Sequence, residues 1–154
     1  MNGIIRVNTT QMFSSGDACE FASSVVRHGG SVTLLVSDGI ILDLESTISM
    51  EDMEKIRVVR ILTPYQLENV LMTDSSNAHY IALRGSIIKN WSRECFESIM
   101  DIIRIKAYFK GSIIVMNFVG EIGIHSIYLQ RAFLERPVLR GNRGLDLWEE
   151  PLPQ

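Results

Sequence analysis

The 154-residue sequence has only two cysteines, Cys19 and Cys95, which lie far apart in the chain. They form no CxxC pair and no cluster with histidine at zinc spacing, which disfavours a disulfide-stapled fold and a structural zinc site. We therefore expect two buried, reduced thiols in an intracellular protein. Cys19 falls in the first turn of a predicted helix, where the helix dipole lowers a thiol pKa, but no histidine is placed to activate it.

The sequence also lacks a long apolar run and an excess of basic residues. No stretch approaches the roughly 20 apolar residues of a membrane-spanning helix, and the start MNGIIRVNTT does not have the pattern of a signal peptide. The 15 Lys and Arg residues face 18 Asp and Glu residues, for a net charge of -3. This balance disfavours an architectural nucleic-acid binder but leaves a local basic patch open. We expect one cytoplasmic globular domain over residues 1–154.

The sequence does contain a regular alternation of strand-like and helix-like runs. Strands are predicted at residues 4–8, 31–36, 56–62, 79–84 and 112–118, and helices at about 17–28, 63–72 and 92–109. This alternation is typical of right-handed βαβ units, so we expect a three-layer α/β fold with a mostly parallel central sheet flanked by helices. Residues from about 124 break the pattern. They predict a strand or short helix and then an extended or irregular closing segment.

Helix starts are marked by clear local signals. Thr63, Pro64 and Gln66 combine a capping threonine, a proline at the first helical position and a side chain that can reach back to the cap. Ser49 and Asp52 resemble a capping box before a short helix, within an otherwise ambiguous stretch. Two of the predicted helices therefore have starts that can be named to the residue.

The first strand, the loop TTQMFSSG and the next helix have the layout of a P-loop. In that motif glycines let backbone N–H groups surround phosphates, a lysine contacts the β and γ phosphates, and a hydroxyl binds magnesium. When the pattern GxxxxGK[ST] is laid on residues 11–18, only Gly16 matches. Asp17 replaces the lysine and Ala18 replaces the hydroxyl residue, so the motif has the layout without the chemistry.

The run SSGDACEFASSVVRHGGSVTLLVSDG resembles the P-loop, first helix and second strand of RecA-like ATPases, in particular the archaeal RadA-paralogue and KaiC-like branch. RVVRILTPYQLENVL and SIIVMNF extend the resemblance over about residues 3–120. It implies a degenerate RecA-like P-loop NTPase core. The position that matches the family's magnesium-binding acid is about Arg84, so the resemblance implies that this metal ligand is missing as well. Asp38 matches an acid that the family often has near the end of the second strand, and Asn117 matches a polar sensor residue at the end of the fifth strand. Both could instead be ordinary turn residues at the ends of strands.

Three nucleotide-binding positions are thus altered together: Asp17, Ala18 and Arg84. We therefore expect no ATP hydrolysis, no catalytic residue, no nucleotide cofactor and no metal. The exchange of charge at two of these positions suggests a hypothesis, in which Asp17 and Arg84 form an ion pair that fills the vacated phosphate site.

No other catalytic or metal-binding pattern stands out. His28 is expected to lie at a helix C-terminus, where a cation is favoured, and no spacing links it to His79 or His125 as metal ligands. The acidic stretch at residues 43–54 lacks calcium-loop spacing, so a solvated face is the favoured interpretation.

Four arginines cluster near aromatic residues in the last part of the chain. The resemblance to recombinases implies a DNA-contacting loop after the fifth strand, and arginines beside aromatics suit single-stranded nucleic acid. The alternatives are pairing with nearby acids, namely Glu135, Asp146, Glu149 and Glu150, or a protein interface. The candidate contacts for nucleic acid or a partner are Arg131, Arg136, Arg140, Arg143 and Trp148.

Together these features predict a non-catalytic RecA-like subunit that acts by protein–protein interaction, and the resemblance implies a role accessory to homologous recombination or DNA repair. The expected partner is a RecA-family ATPase or a second copy of the chain. Apolar tail residues are candidates for docking: Leu145, Leu147, Trp148 and Leu152. Two alternatives remain. One is a scaffold subunit of a RecA-like hetero-oligomer unrelated to DNA, as in Elongator. The other is a small-molecule-binding α/β protein or enzyme with its site at the carboxyl ends of the strands.

Overall fold

A computed structural model describes residues 3–134, 139–140 and 147–151, with side chains described for residues 3–132. The strands in these ranges are β1 (Ile4–Thr10), β2 (Val32–Ser37), β3 (Ile56–Ile61), β4 (Ala78–Arg84), β5 (Ile113–Val119), β6 (Leu139–Arg140) and β7 (Leu147–Pro151). The helices are α1 (Ser15–Arg27), α2 (Met50–Met53), α3 (Pro64–Thr73), α4 (Gly85–Ile88), α5 (Arg93–Lys110) and α6 (His125–Leu134).

The strands form one sheet in the order β3-β2-β4-β5-β1-β7-β6. The first five are parallel, whereas β7 runs antiparallel to β1 and β6 antiparallel to β7. The predicted α/β class with a mostly parallel, helix-flanked sheet is confirmed. The order β3-β2-β4-β5-β1 differs from the 3-2-1-4-5-6 and 2-1-3-4-5 orders of the two common doubly wound folds.

Helices cover both faces of the sheet and enclose two apolar cores. Helix α1 and the segment at residues 40–48 pack on one face, around Leu34, Val36 and Tyr80. Helices α3, α4, α5 and α6 pack on the other face, around Leu35, Ile81 and other buried residues. The connection from β1 to β2 crosses the sheet towards β3, whereas the connections from β3 to β4 and from β4 to β5 cross it towards β1. Because parallel crossovers are right-handed, connections that run in opposite directions place their helices on opposite faces of the sheet.

The predicted helix starts are confirmed. Thr63 and Gln66 form a full capping box at the start of α3, with Pro64 in its first turn. The Ser49 hydroxyl caps the short helix α2 by accepting the N–H of Asp52. The end of α5 is set by Gly111, whose φ of 65° belongs to the left-handed region that favours glycine.

Three local features differ from the sequence-based expectation. Strand β1 continues to Thr10, because its last residues still pair with β5. The one-turn helix α4 was not predicted, since four residues carry too little periodicity to be recognised. Residues 125–134, left open between strand and helix, form α6, in which the buried His125 ring stacks on Phe96 at 4.3 Å.

Among the helices of the described residues, none is both long and apolar enough to cross a bilayer.

Candidate functional site

The candidate site is a cleft at the carboxyl ends of β1 and β5. These two strands are neighbours, but β1 leads into α1 on one face and β5 leads into α6 on the other. Open α/β sheets bind their ligands at such a switch point. The cleft has a volume of about 930 Å³, which is near the upper end of the usual range for small-molecule sites, about 300–1,000 Å³. We call it the switch-point cleft.

Three segments line the switch-point cleft: the end of β1 with the following loop, the first turn of α1, and the end of β5 with the loop to α6. The described side chains in these segments are mostly hydroxyls, amides and carboxylates, and none of those that line the cleft belongs to Lys, Arg or His. The lining residues are Thr9, Thr10, Gln11, Met12, Ser14, Asp17, Asn117, Gly120, Glu121, Ile122, Gly123 and Ser126.

A chain of hydrogen bonds forms the polar floor of the cleft. Asn117 is only 4% exposed. Its Oδ1 accepts the Thr10 hydroxyl at 3.1 Å, and its Nδ2 donates to the Tyr80 hydroxyl at 3.4 Å. Burial raises the pKa of Tyr80, with the Asn117 hydrogen bond opposing it, so the phenol stays neutral. Asn117 lies inside β5, so its interpretation as a strand-end turn residue is wrong.

The loop after β1 is shorter than the sequence predicts. Strand β1 ends at Thr10 and α1 begins at Ser15, which leaves residues 11–14 as the loop in place of the eight predicted. The Ser14 hydroxyl caps α1 by accepting the N–H of Asp17 at 3.2 Å. One of the backbone donors that a phosphate would use is therefore occupied by the chain itself.

The two replaced P-loop positions have different environments. Asp17 is exposed in the first turn of α1 and lines the cleft, where the positive end of the helix dipole favours a negative charge. Ala18 is fully buried in the core under α1. The first would repel a phosphate, and the second contributes only packing.

Arg84 does not take part in the switch-point cleft. Its N–H donates to the Ser37 hydroxyl at 2.8 Å, and its guanidinium lies over Gly39, where an added Cβ would collide with it. It therefore leans towards β2, away from β1. The ion pairs within residues 3–132 are Arg57–Asp74, His79–Asp74 and Arg93–Glu97. The predicted pair between Asp17 and Arg84 does not form. Asp38 is exposed in the turn after β2.

The remaining cysteine and histidine residues are spread over the fold. Both cysteines are free thiols, and Cys19 is buried with its Sγ 3.5 Å from the Asp43 carbonyl. His28 caps the end of α1, with Nδ1 2.7 Å from the Ser24 carbonyl. His125 places Nε2 3.0 Å from the Trp91 carbonyl. Within the described residues, no group of three or more His, Cys, Asp or Glu could hold a metal, and this includes the acidic stretch at 43–54.

The C-terminal arginines are only partly described. Arg131 is exposed on α6 and lines a second cleft of about 350 Å³ beside Arg93 and Tyr128. Arg140 and Trp148 are opposite each other in the β6–β7 pairing. Leu147 lies in β7. Four of the predicted contacts fall outside the described residues: Arg136, Arg143, Leu145 and Leu152.

Several cleft residues were not singled out from the sequence. Thr10, Glu121 and Ser126 line the cleft, and Tyr80 supports its floor. The polar residues at the ends of β1 and β5 could have indicated this site, because the carboxyl ends of parallel strands lie at one edge of the sheet. The sequence alone does not show that β1 and β5 are neighbours, and the site depends on that.

No protein-family model matches the chain, and a search of curated proteins gives no match.

Proposed function

We propose that the chain is a non-catalytic RecA-like subunit that acts by binding another protein, in a role accessory to homologous recombination or DNA repair. The observation that carries this proposal is the charge of the switch-point cleft. The described residues that line it include two carboxylates, Asp17 and Glu121, and no cation.

A triphosphate is disfavoured in this cleft on electrostatic grounds. Two like unit charges about 4 Å apart repel by roughly 1–4 kcal/mol near a protein surface. A P-loop offsets the phosphate charge with a lysine and a magnesium ion. Here Asp17 adds negative charge instead, and Ala18 is buried and has no oxygen for the metal. The described residues of the cleft therefore supply none of the counter-charges that a triphosphate needs.

Partner binding is supported by an uncovered apolar surface at the ends of α3 and α5. We call it the α3–α5 patch: Met72, Ile105, Tyr108 and Phe109, which are between 44% and 75% exposed. The two helix ends are held together by Lys106, whose Nζ donates to the Leu71 carbonyl at 2.8 Å. Grouped apolar side chains of this kind are typical of protein interfaces. We propose a RecA-family ATPase as the partner.

Two measurements test the proposal. The purified chain should show neither thermal stabilisation by Mg-ATP nor ATP hydrolysis. Affinity purification from the native cell should recover a RecA-family ATPase, and Phe109→Ser in the α3–α5 patch should reduce its recovery. Leu62→Ser is a matched control, because Leu62 is 62% exposed but lies outside the patch, directly after β3. Hydrolysis of ATP, or equal loss of the partner in both variants, would contradict the proposal.

A second candidate is a small-molecule-binding α/β protein. The observation that favours it is the switch-point cleft itself, whose volume and position are those of a ligand site. The same ATP assay separates this candidate from a nucleotide-binding protein. A native-cell purification that yields no protein partner would favour it over the first.

A further inference from the structure

We infer that the switch-point cleft binds an alkylammonium group, supplied either by a small free amine or by a lysine side chain of the partner protein. This inference rests on the proposed function in one respect, namely that the cleft does not hold ATP. It names the chemistry that the cleft accepts instead.

The hydrogen-bonding groups of the cleft match an ammonium ion. An alkylammonium has three N–H donors and no acceptor, so its site must offer several oxygen acceptors and a negative charge. The described residues of its walls supply two carboxylates, four side-chain hydroxyls and two amides, and none of these described residues is Lys, Arg or His. The hydroxyls belong to Thr9, Thr10, Ser14 and Ser126, and the amides to Gln11 and Asn117.

Among the described side chains, none forms an ion pair with either carboxylate. None of the ion pairs within residues 3–132 uses Asp17 or Glu121. Arg6 and Asp17 both act electrostatically on Tyr80, but Arg6 is not among the lining residues. Both carboxylates are exposed, so their charge is open to a ligand.

The cleft can also take the carbon chain that carries the ammonium. Met12 lines the cleft and is 82% exposed. Its side chain offers apolar surface to methylene groups, whereas Ile122, also in the lining, is packed in the core and is only 3% exposed. A volume of about 930 Å³ is far larger than one ammonium ion needs. It therefore suits a diamine or a lysine with its flanking peptide.

A metal ion is a poorer fit for the same residues. Calcium and magnesium require about six or more oxygen ligands in close geometry, and no group of three or more metal-ligating side chains lies in the described residues. An ammonium group needs fewer and less strictly placed acceptors.

The test uses two probes on the full chain: cadaverine, and a short peptide with one lysine and blocked ends. Binding is followed by titration calorimetry and by the NMR signals of residues 117–126. Saturable binding is expected, and Asp17→Asn or Glu121→Gln should weaken it by about tenfold, since each removes a charged hydrogen-bond acceptor. Glu45→Gln, an exposed acid outside the cleft, should leave it unchanged.

The two probes separate the two sources. Peptide binding at least tenfold tighter than cadaverine points to a partner's lysine, and the reverse points to a free amine. A peptide with arginine or norleucine in place of lysine reports the selectivity for the ammonium group. The inference is overturned if neither probe saturates, or if both cleft variants bind as the parent chain does.

The outcome is distinct from that of the proposed function. Absence of both amine and ATP binding would remove the inference and leave the proposed function standing. ATP hydrolysis would remove the proposed function whatever the amines do. Both cleft variants change exposed side chains without changing their size, and an unaltered melting temperature confirms that they fold.

Discussion

The Nε2 atom of His79 lies 2.8 Å from Oδ2 of Asp74, and both side chains are buried. Asp74 follows α3, and His79 is near the start of β4, so this pair lies at the opposite end of the sheet from the switch-point cleft. Asp74 also accepts hydrogen bonds from Thr33 at 2.8 Å and from Arg57 at 3.0 Å. Arg57, Thr33 and His79 are register neighbours on β3, β2 and β4. One carboxylate thus joins the end of α3 to three strands.

Replacing Asp74 should be strongly destabilising. Asp74→Asn removes a charged acceptor of hydrogen bonds from Thr33 and Arg57, and losing hydrogen bonds to a charged group costs about 1.5–3 kcal/mol. Chemical denaturation should show a drop of this order in the free energy of unfolding. Glu20→Gln changes an exposed acid on α1 and should stay within about 0.5 kcal/mol. Equal effects in the two variants would mean that the network contributes little.

Asp74 should also make the fold sensitive to strong acid. Burial by itself raises the pKa of Asp74, but hydrogen bonds from Thr33, Ser76 and His79 outweigh it and lower the pKa from 3.8 to about 2. The unfolded chain therefore takes up the proton first. Ionised Asp74 therefore adds about 2 kcal/mol to the free energy of unfolding above pH 4, and this stabilisation is lost as the pH falls towards 2. The free energy of unfolding, measured between pH 5 and pH 2, should fall by about 2 kcal/mol less in Asp74→Asn than in the parent chain.

His79 should cause a loss of stability at a higher pH. Burial is the main cause that lowers its pKa below 6.5, with Lys106 acting in the same direction and Asp74 opposing. Its Nδ1 is buried without a hydrogen-bond partner in the described part of the chain, so a proton there has no acceptor. The unfolded chain binds this proton first, and stability falls as the pH drops below about 6.5. His79→Gln can still donate to Asp74 but does not titrate, so its stability should change less between pH 7 and pH 5.

Lys106 is a buried cation that ties α5 to the end of α3. It is 4% exposed, and its Nζ donates to the carbonyls of Leu71 and Asp74. Lys106→Met keeps the carbon chain but leaves two carbonyls without this donor, at a cost of about 1–3 kcal/mol. Lys110→Met changes an exposed lysine on the last turn of the same helix and should change stability far less. A more stable Lys106→Met variant would show that desolvation of the ammonium outweighs its hydrogen bonds.

The layered architecture could be predicted because its signals are local. Strands β2, β4 and β5 are short, largely apolar runs that are buried along most of their length. The helices α3 and α5 begin at the capping residues Thr63 and Ser92. These features depend on neighbours within a few residues, so the sequence displays them directly. The start of α3 was predicted to the residue for this reason.

The site was less predictable because it depends on which strands are neighbours. Arg84 and Asp17 were expected to face each other, yet β5 separates β4 from β1, and Arg84 turns to Gly39 on the far side of β4. Asn117 was left open between a sensor-like polar residue and a turn residue at the end of the fifth strand, because the sequence does not show that its amide is buried between Thr10 and Tyr80. The network around Asp74 was missed for a related reason, since its members come from β2, β3, β4 and the end of α3.

Two glycines near the switch-point cleft should respond in opposite ways to alanine. Gly16, the one residue that matches the P-loop pattern, lies in α1, and an added Cβ would come no closer than 3.7 Å to its nearest neighbour, the Ser14 hydroxyl oxygen. Gly16→Ala should stabilise the chain by up to about 1 kcal/mol, because alanine restricts the unfolded chain and suits a helix.

Gly85 starts α4 against the backbone of residues 120–121, and an added Cβ would overlap the Glu121 carbonyl oxygen. Backbone atoms cannot turn aside as a flexible side chain can. Gly85→Ala should therefore displace the loop after β5 and destabilise the chain by about 1–3 kcal/mol. Thermal unfolding of the two variants beside the parent chain measures both effects. A stabilised Gly85→Ala variant would mean that the loop containing Glu121 can move away from the added Cβ without a cost in stability. A destabilised Gly16→Ala would mean that this glycine is required for the shape of the cleft.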